Sequence, residues 1–303
     1  MLLAGLTACT PQPIVALPST TASAIGKPLV IGTAGTPDGS NSMENDIVAH
    51  IYSTALNAAG IETIVRPEDD GDPTLIDKLK DGSVDIVPEY SATLLYSLDP
   101  GSQAATPTQI QAAIMTLLPA GLAITEPSNA QDDDSIAVTQ MTAQKYNLKT
   151  LADLAKVCDQ IVFGGTKNFL DKPRGLPALQ AVYGCVPKSY SELSNDKDAL
   201  VLALLRNGVQ AADVHSTSPA IDDNDLVVLT DTKNAFLPDQ LVPVVASAHV
   251  PEAVQSVLNK VSAQLTSTDL TTLNTLARGP NHPSIPEIAS DWLVGAGLIK
   301  ATS

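Results

Sequence analysis

Positive charge is scarce in this 303-residue chain. The 17 Lys and Arg residues face 33 Asp and Glu, a formal charge of −16. A surface that negative repels phosphate backbones, which excludes nucleic acid as a partner and suits a soluble exported protein. Long apolar runs are missing too. Beyond the first few residues nothing approaches the roughly 20 apolar residues that cross a bilayer, so the body of the chain is soluble. Enzyme signatures are absent: no Gly-x-Ser-x-Gly elbow, no His-Glu-x-x-His pair and no Walker-type phosphate loop. Gly32-Thr33-Ala34-Gly35 lacks the third glycine of a dinucleotide turn and reads as a simple tight turn. Cysteine is down to three residues, and His50, His215, His249 and His282 are scattered. Neither Cys158 nor Cys185 has a His or Cys neighbour at metal-ligand spacing, so no metal and no cofactor are expected. Asp132-Asp133-Asp134 lacks the alternating oxygens and central glycine of a calcium loop, and reads as a solvated or ligand-facing loop.

What is present starts with Leu6-Thr7-Ala8-Cys9, a lipobox-like stretch of small side chains before a cysteine. Signal peptidases need small residues before the cut, and the thiolate is the nucleophile for the lipid donor. The leader before it is short and carries no basic residue. The expectation is lipidation of Cys9 and an extracytoplasmic protein, lipid-anchored to the cell membrane. Residues 10–27 are rich in Pro, Ser and Thr without a period and are expected to form a flexible tether. In that oxidising setting a disulfide between Cys158 and Cys185 becomes reasonable. Each follows a helix-like run and precedes a strand-like one, so equivalent ends of neighbouring strands would bring them together. Closing such a loop is worth about 3 kcal/mol in the chain-entropy model. The alternative is a pair of buried thiols.

Order is expected from residue 28, where Leu29-Val30-Ile31-Gly32 reads as a buried strand. Asn41 or a flanking Ser can cap the helix that follows, with Glu44 closing a capping box. Ile47, Ile51, Leu56 and Ala59 keep helical spacing up to Gly60. Strands at 62–65 and 84–88 with a helix between them continue a β-α-β-α-β alternation. A second unit runs from the strand at 135–138 through helices at 150–157, 176–183 and 198–206 and strands at 161–163 and 211–214. The strand at 226–229 is then expected to return toward the first unit, followed by one at 242–246 and two apolar helices. The fold class is α/β with two lobes: residues 28–129 and 232–303 form lobe 1, and residues 130–231 form lobe 2. Each lobe is a mostly parallel sheet flanked by helices, and two crossing strands act as a hinge over a ligand cleft.

Asp81-Gly82-Ser83-Val84-Asp85-Ile86-Val87-Pro88-Glu89-Tyr90-Ser91-Ala92-Thr93 resembles the signature of the glycine betaine/choline (osmoprotectant) solute-binding proteins of ABC importers. The likeness continues in order through residues 146–154, Arg174-Gly175-Leu176-Pro177, Tyr183-Gly184, residues 225–229, Phe236-Leu237-Pro238 and residues 258–262. It implies a periplasmic-binding-protein fold that closes on a small-molecule solute and delivers it to an ABC permease, acting as a monomer and not as an enzyme.

That family typically grips a quaternary ammonium in a cage of tyrosines, because a cation without N–H donors is held by π faces and apolar contact. Tyr90 keeps the first cage position. The other tyrosines of the family's motifs fall on Asp134, His215 and Asp239, and aromatics are only 3% of the chain. Asn41, Ser42 and Glu44 follow the family's helix start beside the cleft, where simple helix capping is the alternative. Acceptor oxygens and a histidine suit a hydroxylated or phenolic ring, or an amine, better than choline or betaine. Two other readings stay open: a secreted enzyme using His215 with a cleft carboxylate, and a receptor or scavenger without a permease.

Overall fold

The computed structural model describes residues 11–19, 21, 25–35, 42–67, 74–193, 197–279 and 282–301. The expected lipidation at Cys9 lies outside them. The alternation of strands and helices builds two five-stranded sheets. The first contains β1 (Leu29–Gly32), β2 (Thr63–Arg66), β3 (Ile86–Tyr90), β4 (Leu122–Ile124) and β10 (Leu241–Ala246), in the order β2-β1-β3-β10-β4. The second contains β5 (Asp134–Val138), β6 (Val162–Gly165), β7 (Ser189–Glu192), β8 (Ala211–His215) and β9 (Val227–Val228), in the order β7-β6-β8-β5-β9.

In each sheet one strand runs against the other four: β10 in the first, β5 in the second. Those two are the first strands formed after the chain passes from one lobe to the other. Parallel neighbours need a covering crossover, usually a helix, whereas a strand arriving from the other lobe does not and can pair antiparallel. The two passages lie side by side. Leu241 N–H donates to Ala130 O at 3.0 Å and Asp132 N–H to Asp239 O at 3.1 Å, with Gln131 paired antiparallel to Gln240.

Helical spacing of apolar residues fixes what covers the first sheet. In the helix Ser42–Ala58, Ile47, Val48, Ile51, Tyr52, Ala55 and Leu56 form one buried face. It meets the buried face of Glu252–Ser262, made of Val254, Val257, Leu258 and Val261, and the helices Ser267–Arg278 and Ile285–Gly295. Each large side chain buried this way is worth roughly 1.5–3 kcal/mol. The second core gathers Ile136, Leu151, Leu154, Leu179 and the stacked rings of Phe163 and Phe169. Cys158 and Cys185 form a disulfide beside it, with Cα atoms 5.3 Å apart. Nine of the ten aromatic residues pack in or against these two cores, which leaves Tyr96 alone for other work.

Two expectations need correction. The tether is docked in part: Ile14 N–H donates to Leu298 O and Leu17 N–H to Ala59 O, both at 2.8 Å, and Ile14, Leu17 and Ile25 pack on the first core. Enough apolar side chains sit among the Pro, Ser and Thr to bury a surface, and bulk composition hid them. The strand expected to return at 226–229 shrinks to Val227–Val228 and pairs with β5 at the edge of the second sheet. The passage back follows it, ending at Gln240. The capping box offered to Glu44 falls on a helix start outside the described residues; the Glu44 side chain points inward, 2% exposed, to partners described below. No helix among the described residues is long and apolar enough to cross a membrane.

Candidate ligand-binding cleft

The carboxyl ends of β3 and β8 face the same crevice, and the two passages form its floor. Open α/β sheets place ligand sites at such strand ends. The crevice encloses about 940 Å³ up to and including its open mouth. One wall comes from Ala92, Thr93 and Tyr96 on the helix Ser91–Leu98, with Asp239 below them. The other carries Asp134, His215, Asn168, Lys172 and Arg174, and Asp132 lies at the base.

Asp134 lines the cleft as expected, but it is not free. Lys172 Nζ lies 2.7 Å from its Oδ2 and donates to its Oδ1 at 2.8 Å. Burial opposes the charge on Lys172, yet Asp134 and Asp213 outweigh it and hold the ammonium above its ordinary range. His215 also lines the cleft, with Nδ1 2.9 Å from Asp132 Oδ2. Burial works against its charge, and the carboxylates of Asp132, Asp134 and Asp213 more than compensate, lifting the ring to about 10. Asp132, although buried, is held below the usual carboxylate range by that ring and by the Thr217 donors. Asp239 is aimed at the start of the helix Ser91–Leu98. Its Oδ1 accepts from the Ala92 N–H at 2.5 Å, and its Oδ2 accepts from the Thr93 hydroxyl at 2.8 Å. Burial, with Asp134 adding to it, pushes Asp239 up to about 7.

Tyr90 is the expectation the structure moves. It is 6% exposed, belongs to the first core and is absent from the cleft walls. Its hydroxyl donates to Glu44 Oε1 behind the cleft. The apolar strand carrying it is buried along its length, so the ring turns into the lobe. Ser42 is exposed and away from the cleft walls, and Asn41 lies outside the described residues.

Behind the cleft a polar cluster joins the lobes. Glu44 Oε2 takes the Asn274 side-chain N–H and lies 2.6 Å from Thr217 Oγ1, which is itself 2.8 Å from Asp132 Oδ1. One hydroxyl proton serves only one of two carboxylates. A protonated Glu44 donating to Thr217, while Thr217 donates to Asp132, satisfies every oxygen. Burial, then the Asp132 charge, pushes Glu44 up to about 7, in line with that count. Sequence reasoning missed Glu44 in this role, together with Thr217, Asn274 and Lys172. Glu44 and Asn274 signalled themselves only as polar residues on otherwise apolar helix faces, as Glu44 does beside Ile47 and Val48, whereas Thr217 in a turn and Lys172 at a helix end gave no such signal.

Residues 36–294 match the family model described as the substrate binding domain of the ABC-type glycine betaine transport system. The chain belongs to this family. Its fold agrees with a solved glycine betaine/carnitine/choline ABC transporter protein: TM-score 0.75 at 19% identity, covering 89% of this chain and 98% of that one. Apo YehZ from Escherichia coli gives a TM-score of 0.69 at 22% identity, with 89% and 99% covered. The lactococcal OpuAC protein, closed on glycine betaine, gives 0.60 at 14% identity, with 89% and 96% covered. Among curated relatives, an ergothioneine transport permease/ergothioneine binding protein of Helicobacter pylori, EgtU, is 27% identical over 172 residues. That match takes in 54% of this chain and 30% of the relative, so the chain spans under a third of its length. The solved structures thus share this fold, and the names of the matched proteins point to different solutes.

Proposed function

We propose that the chain is the extracytoplasmic solute-binding component of an ABC importer, lipid-anchored through Cys9, whose lobes close on a small solute and present it to a membrane permease. The solute carries O–H or N–H donors, as a hydroxylated or phenolic ring or an amine does, and is not a quaternary ammonium. One observation carries this reading: among the fifteen described residues lining the cleft, Tyr96 is the single aromatic. A quaternary ammonium needs several π faces to replace its water, and one ring on one wall cannot enclose it. Carboxylates at Asp132, Asp134 and Asp239 offer charge-assisted acceptors instead.

A hydrolytic or transferase role for His215 finds little support. An imidazole lifted to about 10 is protonated at neutral pH and has no lone pair to act as general base. The chain is read as binding without turnover.

A thermal-shift screen across quaternary amines, polyamines, polyols and phenolics tests the reading, since a ligand of the folded state raises the melting point by mass action. A donor-bearing solute is expected to give the largest shift. Calorimetry showing micromolar binding of choline or glycine betaine would overturn the ligand class.

A further inference from the structure

The helix Ser91–Leu98 starts at the cleft wall with no acidic residue in its first turn and no side-chain cap from its own Ncap residue, Tyr90. Its unpaired N–H groups and aligned peptide dipoles favour a negative charge at that point. The chain supplies that charge from a distant segment. Asp239 accepts from the Ala92 N–H at 2.5 Å, from the Thr93 N–H at 3.4 Å and from the Thr93 hydroxyl at 2.8 Å. Its own backbone N–H donates to Asp133 Oδ1 at 2.7 Å, which fixes the segment that delivers it. Ala92, Thr93 and Asp239 all line the cleft, so this arrangement is part of the wall a solute meets.

We propose that Asp239 is a specificity-determining residue: a resident carboxylate that fills the helix-start position, bars solute carboxylates from it, and favours solutes that present a hydroxyl or ammonium donor there. The proposal rests on the cleft being the solute site. A solute carboxylate placed at the helix start would find its donors taken and would lie beside like charges on Asp239 and Asp134. Repulsive elements of this kind set specificity as effectively as attractive ones. The cations of the cleft reinforce the polarity. Lys172 is already paired with Asp134, whereas Arg174, on the opposite wall, has no ion-pair partner among the described residues. Solute donors therefore face Asp239, and solute acceptors face Arg174.

Glycine betaine and choline share a trimethylammonium head and differ in the carboxylate, so together they probe this position. Titrations are made at pH 8, above the value of about 7 to which Asp239 is raised. Asp239→Ala is expected to bind glycine betaine at least tenfold more tightly than wild type, while choline, which presents a hydroxyl in place of the carboxylate, gains nothing. Asp239→Asn keeps the shape and the acceptor oxygen, and is expected to gain little for either. Acetate serves as a second probe that needs no cognate solute. It should raise the melting point of Asp239→Ala above a chloride control and shift its Ala92 and Thr93 amide resonances, with neither change in wild type. A wild type that binds glycine betaine as tightly as Asp239→Ala overturns the proposal, and so does an Asp239→Ala protein indifferent to acetate. If that variant does not fold, saturable acetate shifts at Ala92 and Thr93 in wild type overturn it. Acetate acting on Asp239→Ala, with no donor-bearing solute of the thermal-shift screen stabilising either protein, supports the resident-anion assignment and counts against the reading of the cleft.

Discussion

Glu44 and Asp239 are both acidic residues raised to about 7 by burial, yet one is sealed behind the cleft and the other forms its wall. Glu44 touches only protein: the Tyr90 hydroxyl, the Asn274 amide and the Thr217 hydroxyl from the opposite lobe. Asp239 touches a helix start on one side and open space on the other. The difference separates joining the lobes from meeting the solute. A polar group whose every partner is buried protein contributes to stability, and its loss leaves those partners stranded. A polar group that faces water can lose a protein partner cheaply, because water replaces it.

The strongest way to break that contrast is Glu44→Ala. It removes the shared partner of three buried polar groups and leaves a void between the lobes. The expected cost is about 3 kcal/mol or more, from unsatisfied groups and lost packing together. For a chain of this size that lowers the melting temperature by roughly 6–12 °C. Differential scanning calorimetry reads it directly, and a loss under 1 kcal/mol would remove Glu44 from the junction.

A second test uses protons. A free glutamate ionises near 4.5 and Glu44 in the folded chain near 7, so between those values the folded state holds a proton the unfolded chain has lost. Its share of the stability is full below pH 4.5 and is lost as pH rises through 7. Asp239 behaves alike from 3.8 to about 7, and His215 from 6.5 to about 10. Asp132 runs the other way: held below its ordinary range, it adds stability above pH 3.8 that strong acid removes. Urea midpoints are therefore expected to fall steadily from pH 5 to pH 10. Each group adds up to about 1.4 kcal/mol per pH unit, the slope of one proton. Glu44→Gln should remove about one proton of slope between pH 5 and 7, and an unchanged profile would place the titration elsewhere.

Much of this architecture was legible in the sequence. The period of Ile47, Ile51 and Leu56 marks a helix, and the run at 84–88 marks a strand, which the structure shifts to Ile86–Tyr90, because burial of apolar side chains imposes those spacings. The Cys158–Cys185 bridge followed from compartment and equivalent placement. The edges were harder. Leu122–Ile124 and Ser189–Glu192 are short strands at sheet margins, where one side lacks a partner and composition follows solvent as much as pairing. Asp134, His215 and Asp239 do line one cleft, but their partners did not show: Lys172 is 38 residues from Asp134, and Thr93 is 146 from Asp239. Tyr90 carried the most recognisable motif and still turned inward. A motif fixes the backbone position of a ring, and packing decides which side the ring takes.

The smallest expected effect sharpens the contrast from the cleft side. Asp134 and Lys172 are about one-fifth exposed, so water reaches both ends of their ion pair and screens it. Asp134→Asn keeps the shape, leaves Lys172 able to turn to solvent, and should change stability by about 1 kcal/mol or less. Its effect belongs to binding instead. A donor-bearing solute held by the acidic wall should lose about tenfold in affinity when that charge goes, the worth of one charge-assisted hydrogen bond. Paired calorimetry on Glu44→Ala and Asp134→Asn reads both quantities in the same samples. Should Asp134→Asn unfold the protein as readily as Glu44→Ala does, the cleft wall would be part of the structural junction, and the division between the two regions would collapse.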